Sequence, residues 1–231
     1  ADSGRDLPTS EDVAAQFDAE DGSDRTSWVP PCRRTDATFD GEQAARDRVI
    51  RAVLERWDFK DADGWRLLLA EATAGSPHAL IDLEPLFVGF ARSETCRLLA
   101  SARCSHRDVE FVLGDVSAAA AGRRSGVGPH VRGVIDCLWQ DASGEWHVLF
   151  YATDAAPGGP QEAWSSRELG MVLAAAAVEQ SLGRWPATLT LYCFELGAAI
   201  CRATAELPAR DHLTAAGNAL TGFLAQPLAG R

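Results

Sequence analysis

From Gly41 onward apolar residues recur at three- and four-residue spacing. "EQAARDRVIRAVLERWDF" sets Val49, Ile50, Val53, Leu54 and Trp57 on one face, as an amphipathic helix requires. A second helix is expected over "GWRLLLAEATA" and a third, longer one over "LEPLFVGFARSETCRLLASA". The period then changes to two. In "DVEFVLG", Val109, Phe111 and Leu113 alternate with polar neighbours, which predicts a short strand. "HVRGVIDCLWQ" and "WHVLFYAT" read as two more strands joined by the turn "DASGE", so the three form a meander. "DAAPGGPQ" breaks the pattern before a helix from about Glu162 to Leu182. The strand "ATLTLYCFEL", a short fifth strand at "AICRAT" and a closing helix over "ARDHLTAAGNALTGFLAQ" complete the order. Helices, three strands, helix, strand, helix predict an α/β fold with a central mixed sheet flanked by helices.

Residues 1–42 break this patterning. They are rich in Asp, Ser, Gly and Pro, with "SEDVAAQFDAEDGSD" strongly acidic, and read as a flexible arm or linker ahead of a domain spanning 43–231. The chain has 231 residues and is 46% hydrophobic with seven Trp, enough to bury a full core. It starts with Ala, has Met171 as its one Met and shows no secretory signal pattern, so it reads as a piece of a longer polypeptide. No apolar run approaches the ~18 residues of a membrane span, so no membrane partner is expected.

Charge narrows the functional classes. At a net charge of -11 the chain is a poor self-sufficient nucleic-acid binder, because phosphate contacts come from Lys and Arg. Lys60 is the single Lys. The six Cys (32, 96, 104, 137, 193, 201) form no CxxC pair and no zinc or iron–sulfur spacing. Cys137 and Cys193 lie in apolar strand runs and read as buried free thiols of a cytoplasmic protein. No GxSxG elbow or phosphate-binding loop appears, and "GRRSGVG" lacks the Lys-Ser/Thr ending. Arg123, Arg124 and Arg132 around that loop could meet phosphate, though a solvated hairpin loop accounts for them as well. His106, His130 and His147 are scattered around strands, and Trp139 and Trp146 flank the turn, as a cross-strand pair on one face would.

Asp136 is the sharpest chemical signal. In "GVIDCLW" it interrupts a hydrophobic strand, where a carboxylate either binds a metal for phosphodiester hydrolysis or hydrogen-bonds a turn at the strand end. The segments "DRVIRAVLERWDF", "HRDVEFVL", "RGVIDCLW", "LFYATD", "ELGMVLAAAAV" and "LYCFELG" stand in that order. Together they resemble the C-terminal nuclease domain of RecB- and AddA-type helicase–nucleases, in the PD-(D/E)xK superfamily, over about residues 41–226. The family's motifs are "GTxVHxVLExLDF", "rEvPF", "GxIDxL", "DYKT", "QLxxYAxAL" and "LYF".

That resemblance implies a restriction-endonuclease-like core, but a damaged site. The family's helix histidine falls on Arg51 and its first metal-binding Asp on Asp136. The second metal-binding Asp falls on Phe150 and the catalytic Lys on Ala152. The helical Gln and Tyr that usually touch DNA fall on Glu168 and Val172. A single carboxylate holds Mg²⁺ weakly, and the missing Lys would have stabilised the anionic transition state. Lys60 lies in the wrong segment to replace it. The resemblance therefore implies an inactive nuclease-like domain with no cofactor, attached to a helicase motor in the same chain or complex. Weak DNA binding and contact with a partner subunit are its expected roles in DNA end processing and repair. Two alternatives remain open. Glu110, with Asp108 beside it, and Asp154 could rebuild an acidic Mg²⁺ site around Asp136 and make the domain an active exonuclease. The domain could also be an interaction module with no DNA role.

Overall fold

A computed structural model describes residues 41–75, 77–114, 130–154 and 157–207. The acidic arm, the glycine- and arginine-rich loop with Arg123 and Arg124, and the closing helix all lie outside the described residues. The elements run α1 (Gly41–Arg56), α2 (Trp65–Ala72), α3 (Pro77–Ala91), α4 (Glu94–Ala100), β1 (Cys104–Leu113), β2 (Val131–Gln140) and β3 (Trp146–Ala152). After these come α5 (Gly159–Leu182), β4 (Thr188–Cys193) and β5 (Ala198–Ala203).

The five strands lie in sequence order in one mixed sheet. The β1–β2, β2–β3 and β4–β5 pairs are antiparallel, and β3–β4 is parallel. A parallel pair needs a crossover, and α5 supplies it. The expected mixed α/β sheet is therefore what forms. No helix among the described residues is long and apolar enough to cross a membrane.

Two cores flank the sheet. On one side α5 buries Met171 through Val178 against Phe111, Ile135, Val148, Phe150 and Leu191. The run of alanines there lets helix and sheet approach closely, and Gly183, at φ 75°, ends the helix in a left-handed turn. On the other side α1–α4 pack Ile50, Val53, Leu54 and Trp57 with Phe87, Phe90, Leu149, Tyr151 and Tyr192. Phe90 is the hub of an aromatic cluster, 4.7 Å from Tyr192 and 5.2 Å from Phe194 between ring centroids.

The expected long third helix is two helices. Ser93 breaks it: its hydroxyl donates to the Phe90 carbonyl at 2.6 Å and accepts from the Cys96 amide at 3.2 Å, capping α4. β1 is also longer than expected, beginning at Cys104. Trp139 and Trp146 do not share a face. Trp139 stacks on His147, its direct cross-strand partner, at 4.2 Å, while Trp146 belongs to the core under α5. Cys137 and Cys193 are buried free thiols, as expected.

The side-chain alternation slips by one residue in β1 and β2 at the same level. Cys104 belongs to the α5 side, and so do Val109, Phe111 and Leu113; Leu138 and Ile135 both do on β2. Opposite-parity positions thus share a face on either side of Arg107–Asp108 and Asp136–Cys137. Asp108, at φ 49°, is the one described non-glycine residue with positive φ. It stands across from Asp136, between the paired Arg107–Cys137 and Val109–Ile135. Asp tolerates this left-handed conformation better than most residues, and local distortions of this kind gather at functional sites.

Candidate functional site

Asp136 sits within β2 rather than at a strand end, and its side chain is 6% exposed. The pairing of β2 with β3 stops at Cys137–Leu149, while β3 continues to Ala152 beside β4. At that opening the Tyr151 amide donates to Asp136 Oδ2 at 2.8 Å, so the carboxylate takes over a bond the sheet ladder would otherwise make.

The other carboxylate oxygen meets α1. Arg51 Nη1 donates to Asp136 Oδ1 at 2.5 Å, and Arg51 Nε lies 3.0 Å and 3.2 Å from the two Asp47 oxygens. Asp47 and Arg51 are four residues apart and share a helix face. Asp47 accepts from the Thr153 hydroxyl at 2.6 Å, and Gln43 Nε2 donates to the Thr153 carbonyl at 3.1 Å. A chain of polar contacts therefore runs from the β2–β3 opening along α1 to the end of β3. The sequence reading placed Arg51 at the family's histidine position without joining it to Asp136. No local pattern in the sequence links this helix cation to the one acidic residue of the apolar strand β2.

Burial pushes the Asp136 carboxyl above its ordinary range, and Arg51 and the Tyr151 amide oppose that. Burial also acts to lower Arg51, but the carboxylates of Asp136 and Asp47 raise it overall, so the guanidinium keeps its charge. Each Asp136 oxygen accepts one hydrogen bond, and the charge nearest to it is the Arg51 cation. Mg²⁺ is bound through several oxygen ligands, and next to Asp136 the structure puts a guanidinium.

The remaining candidates are dispersed. Asp154 pairs with Arg167 of α5, Nη2 to Oδ1 at 2.5 Å, and Glu110 is exposed on β1. Among the described residues no group of three or more His, Cys, Asp or Glu could hold a metal ion. The acidic cluster of Glu110, Asp136 and Asp154 is thus not assembled. His147 bonds Thr188 Oγ1 at 2.9 Å and His106 lies 6.0 Å from Trp146, so each belongs to its own local packing. Glu168 accepts from Trp164 Nε1 at 3.1 Å, and Val172 is fully buried.

Phe150 and Ala152 are 2% and 1% exposed and belong to the core under α5. They are packing residues, and the charge facing Asp136 comes from α1. Arg132 is exposed on β2. No family model matches the chain, and no curated protein is similar to it in sequence.

Proposed function

We propose that this chain is a RecB/AddA-like nuclease domain without catalytic activity, serving beside a helicase motor to guide DNA or contact a partner subunit. The observation that carries this reading is the Arg51 guanidinium seated on Asp136 at the opening between β2 and β3. In a metal-dependent nuclease that carboxylate must face an ion and an attacking water. Here its charge is balanced by a side chain of α1, which cannot activate a water as a metal ion does.

Support also comes from the element order, four helices, three antiparallel strands, a crossover helix, a parallel strand and an antiparallel fifth, with the acid where two strands part. The acidic balance of the chain favours protein contact over strong DNA affinity of its own. The rival reading, an exonuclease with a rebuilt acidic site, needs Glu110 and Asp154 beside Asp136, and Asp154 is instead held by Arg167.

The test is a cleavage assay on linear duplex and single-stranded DNA with Mg²⁺ or Mn²⁺, comparing the wild type with Asp136→Ala. Equal background in both is the expected result. Metal-dependent cleavage by the wild type that Asp136→Ala abolishes overturns the reading.

A further inference from the structure

The opposite end of α1 carries a different feature. The loop after the helix and the connection from α4 into β1 line an open concavity of about 210 Å³. Its wall holds Arg56, Lys60, Arg103 and Arg107, against one acid, Asp58. In a chain of net charge -11 four cations around one hollow run against the general balance.

Helix geometry accounts for part of this. Arg107 donates to the Glu55 and Trp57 carbonyls at 3.3 Å and 2.6 Å, satisfying the C-terminal end of α1, where a cation is favoured. Arg56 reaches Glu71 at 2.9 Å. Lys60 and Arg103 are not explained in this way. Both are exposed, both line the hollow, and neither enters an ion pair among the described residues. Asp58 accepts from the Lys60 backbone amide at 3.1 Å and forms no ion pair with the Lys60 ammonium among the described residues. Arg107 adds charge to the wall from behind, with its Nε buried and unpartnered among the described residues.

We infer that this hollow binds the oxygens of a phosphate group, with Lys60 and Arg103 as the contacting side chains. The chemistry admits two sources, a phosphodiester of a single nucleic-acid strand or free phosphate. The inference stands apart from the proposed loss of catalysis, since it uses none of the residues around Asp136.

Two binding measurements on the full chain separate the sources: anisotropy of a labelled single-stranded oligonucleotide at low salt, and calorimetry with inorganic phosphate. Each is run on the wild type, on Lys60→Glu/Arg103→Glu, and on Arg92→Glu, an exposed charge reversal ahead of α4. A loss of about tenfold or more in the double variant, against less than about threefold in Arg92→Glu, is expected because both charges contact the anion. Loss in the oligonucleotide arm assigns the hollow to a nucleic-acid strand. Loss in the phosphate arm alone keeps the site and assigns it to free phosphate. Binding in neither arm, or equal binding by wild type and double variant, overturns the inference.

Discussion

Arg51 and Asp136 are 85 residues apart in the chain and meet at 2.5 Å, side chain to side chain, where β2 and β3 separate. The pair is largely buried, with the arginine side chain 18% exposed and the aspartate 6%. A buried carboxylate in an apolar sheet must be neutralised, and a helix-borne guanidinium does this without any ion from solution.

Arg51→Ala leaves Asp136 buried without its cation. Removing one member of a buried pair costs about 3–5 kcal/mol, so urea denaturation is expected to show a loss of that size. Arg51→Met/Asp136→Asn recovers part of it, since the asparagine carbonyl still accepts from the Tyr151 amide while its NH2 group loses a partner. A single variant as stable as the wild type would show that the pair is not what neutralises the acid.

Phe150→Asp tests whether the family's lost carboxylate has anywhere to go. Phe150 packs under α5, so the substitution removes an aromatic ring and buries a charge. A loss of about 4 kcal/mol or more is expected, because truncating a buried Phe alone costs about 3–5. Near-native stability with acquired Mn²⁺ binding would mean that the position faces Asp136 after all.

The β2–β3 turn gives a pH signature. Asp141 is held down to about 2 by the Ser143 hydroxyl and the Glu145 amide, against an ordinary value of 3.8. The folded value lies below the unfolded one, so the carboxylate's contribution is complete above about 3.8 and lost as pH falls past about 2. Asp141→Asn should therefore be less stable than the wild type at pH 6, with the gap closing between those two values. A gap independent of pH would assign the effect to turn geometry instead.

Much of the fold was legible because each element carried its own periodicity. Val49, Ile50, Val53, Leu54 and Trp57 mark the buried face of α1, and Val109, Phe111 and Leu113 mark the α5 face of β1. The break at Ser93 was hidden because apolar positions continue at helical spacing beyond the short charged stretch Arg92–Glu94 on either side, and the cap acts through one hydroxyl. The site was legible residue by residue but not as an arrangement. Asp136, Phe150, Ala152 and Arg51 could each be placed on an element. Whether side chains on two elements meet depends on the slip in strand alternation near Asp108 and on how α1 docks on the sheet, and neither leaves a mark in local pattern.

The most direct measurement is electron paramagnetic resonance of Mn²⁺ titrated into the full chain, with Asp136→Asn alongside. With Arg51 holding the carboxylate, both proteins should give the same spectrum, with no bound ion that depends on Asp136. A tightly bound Mn²⁺ in the wild type that disappears in Asp136→Asn would contradict the account.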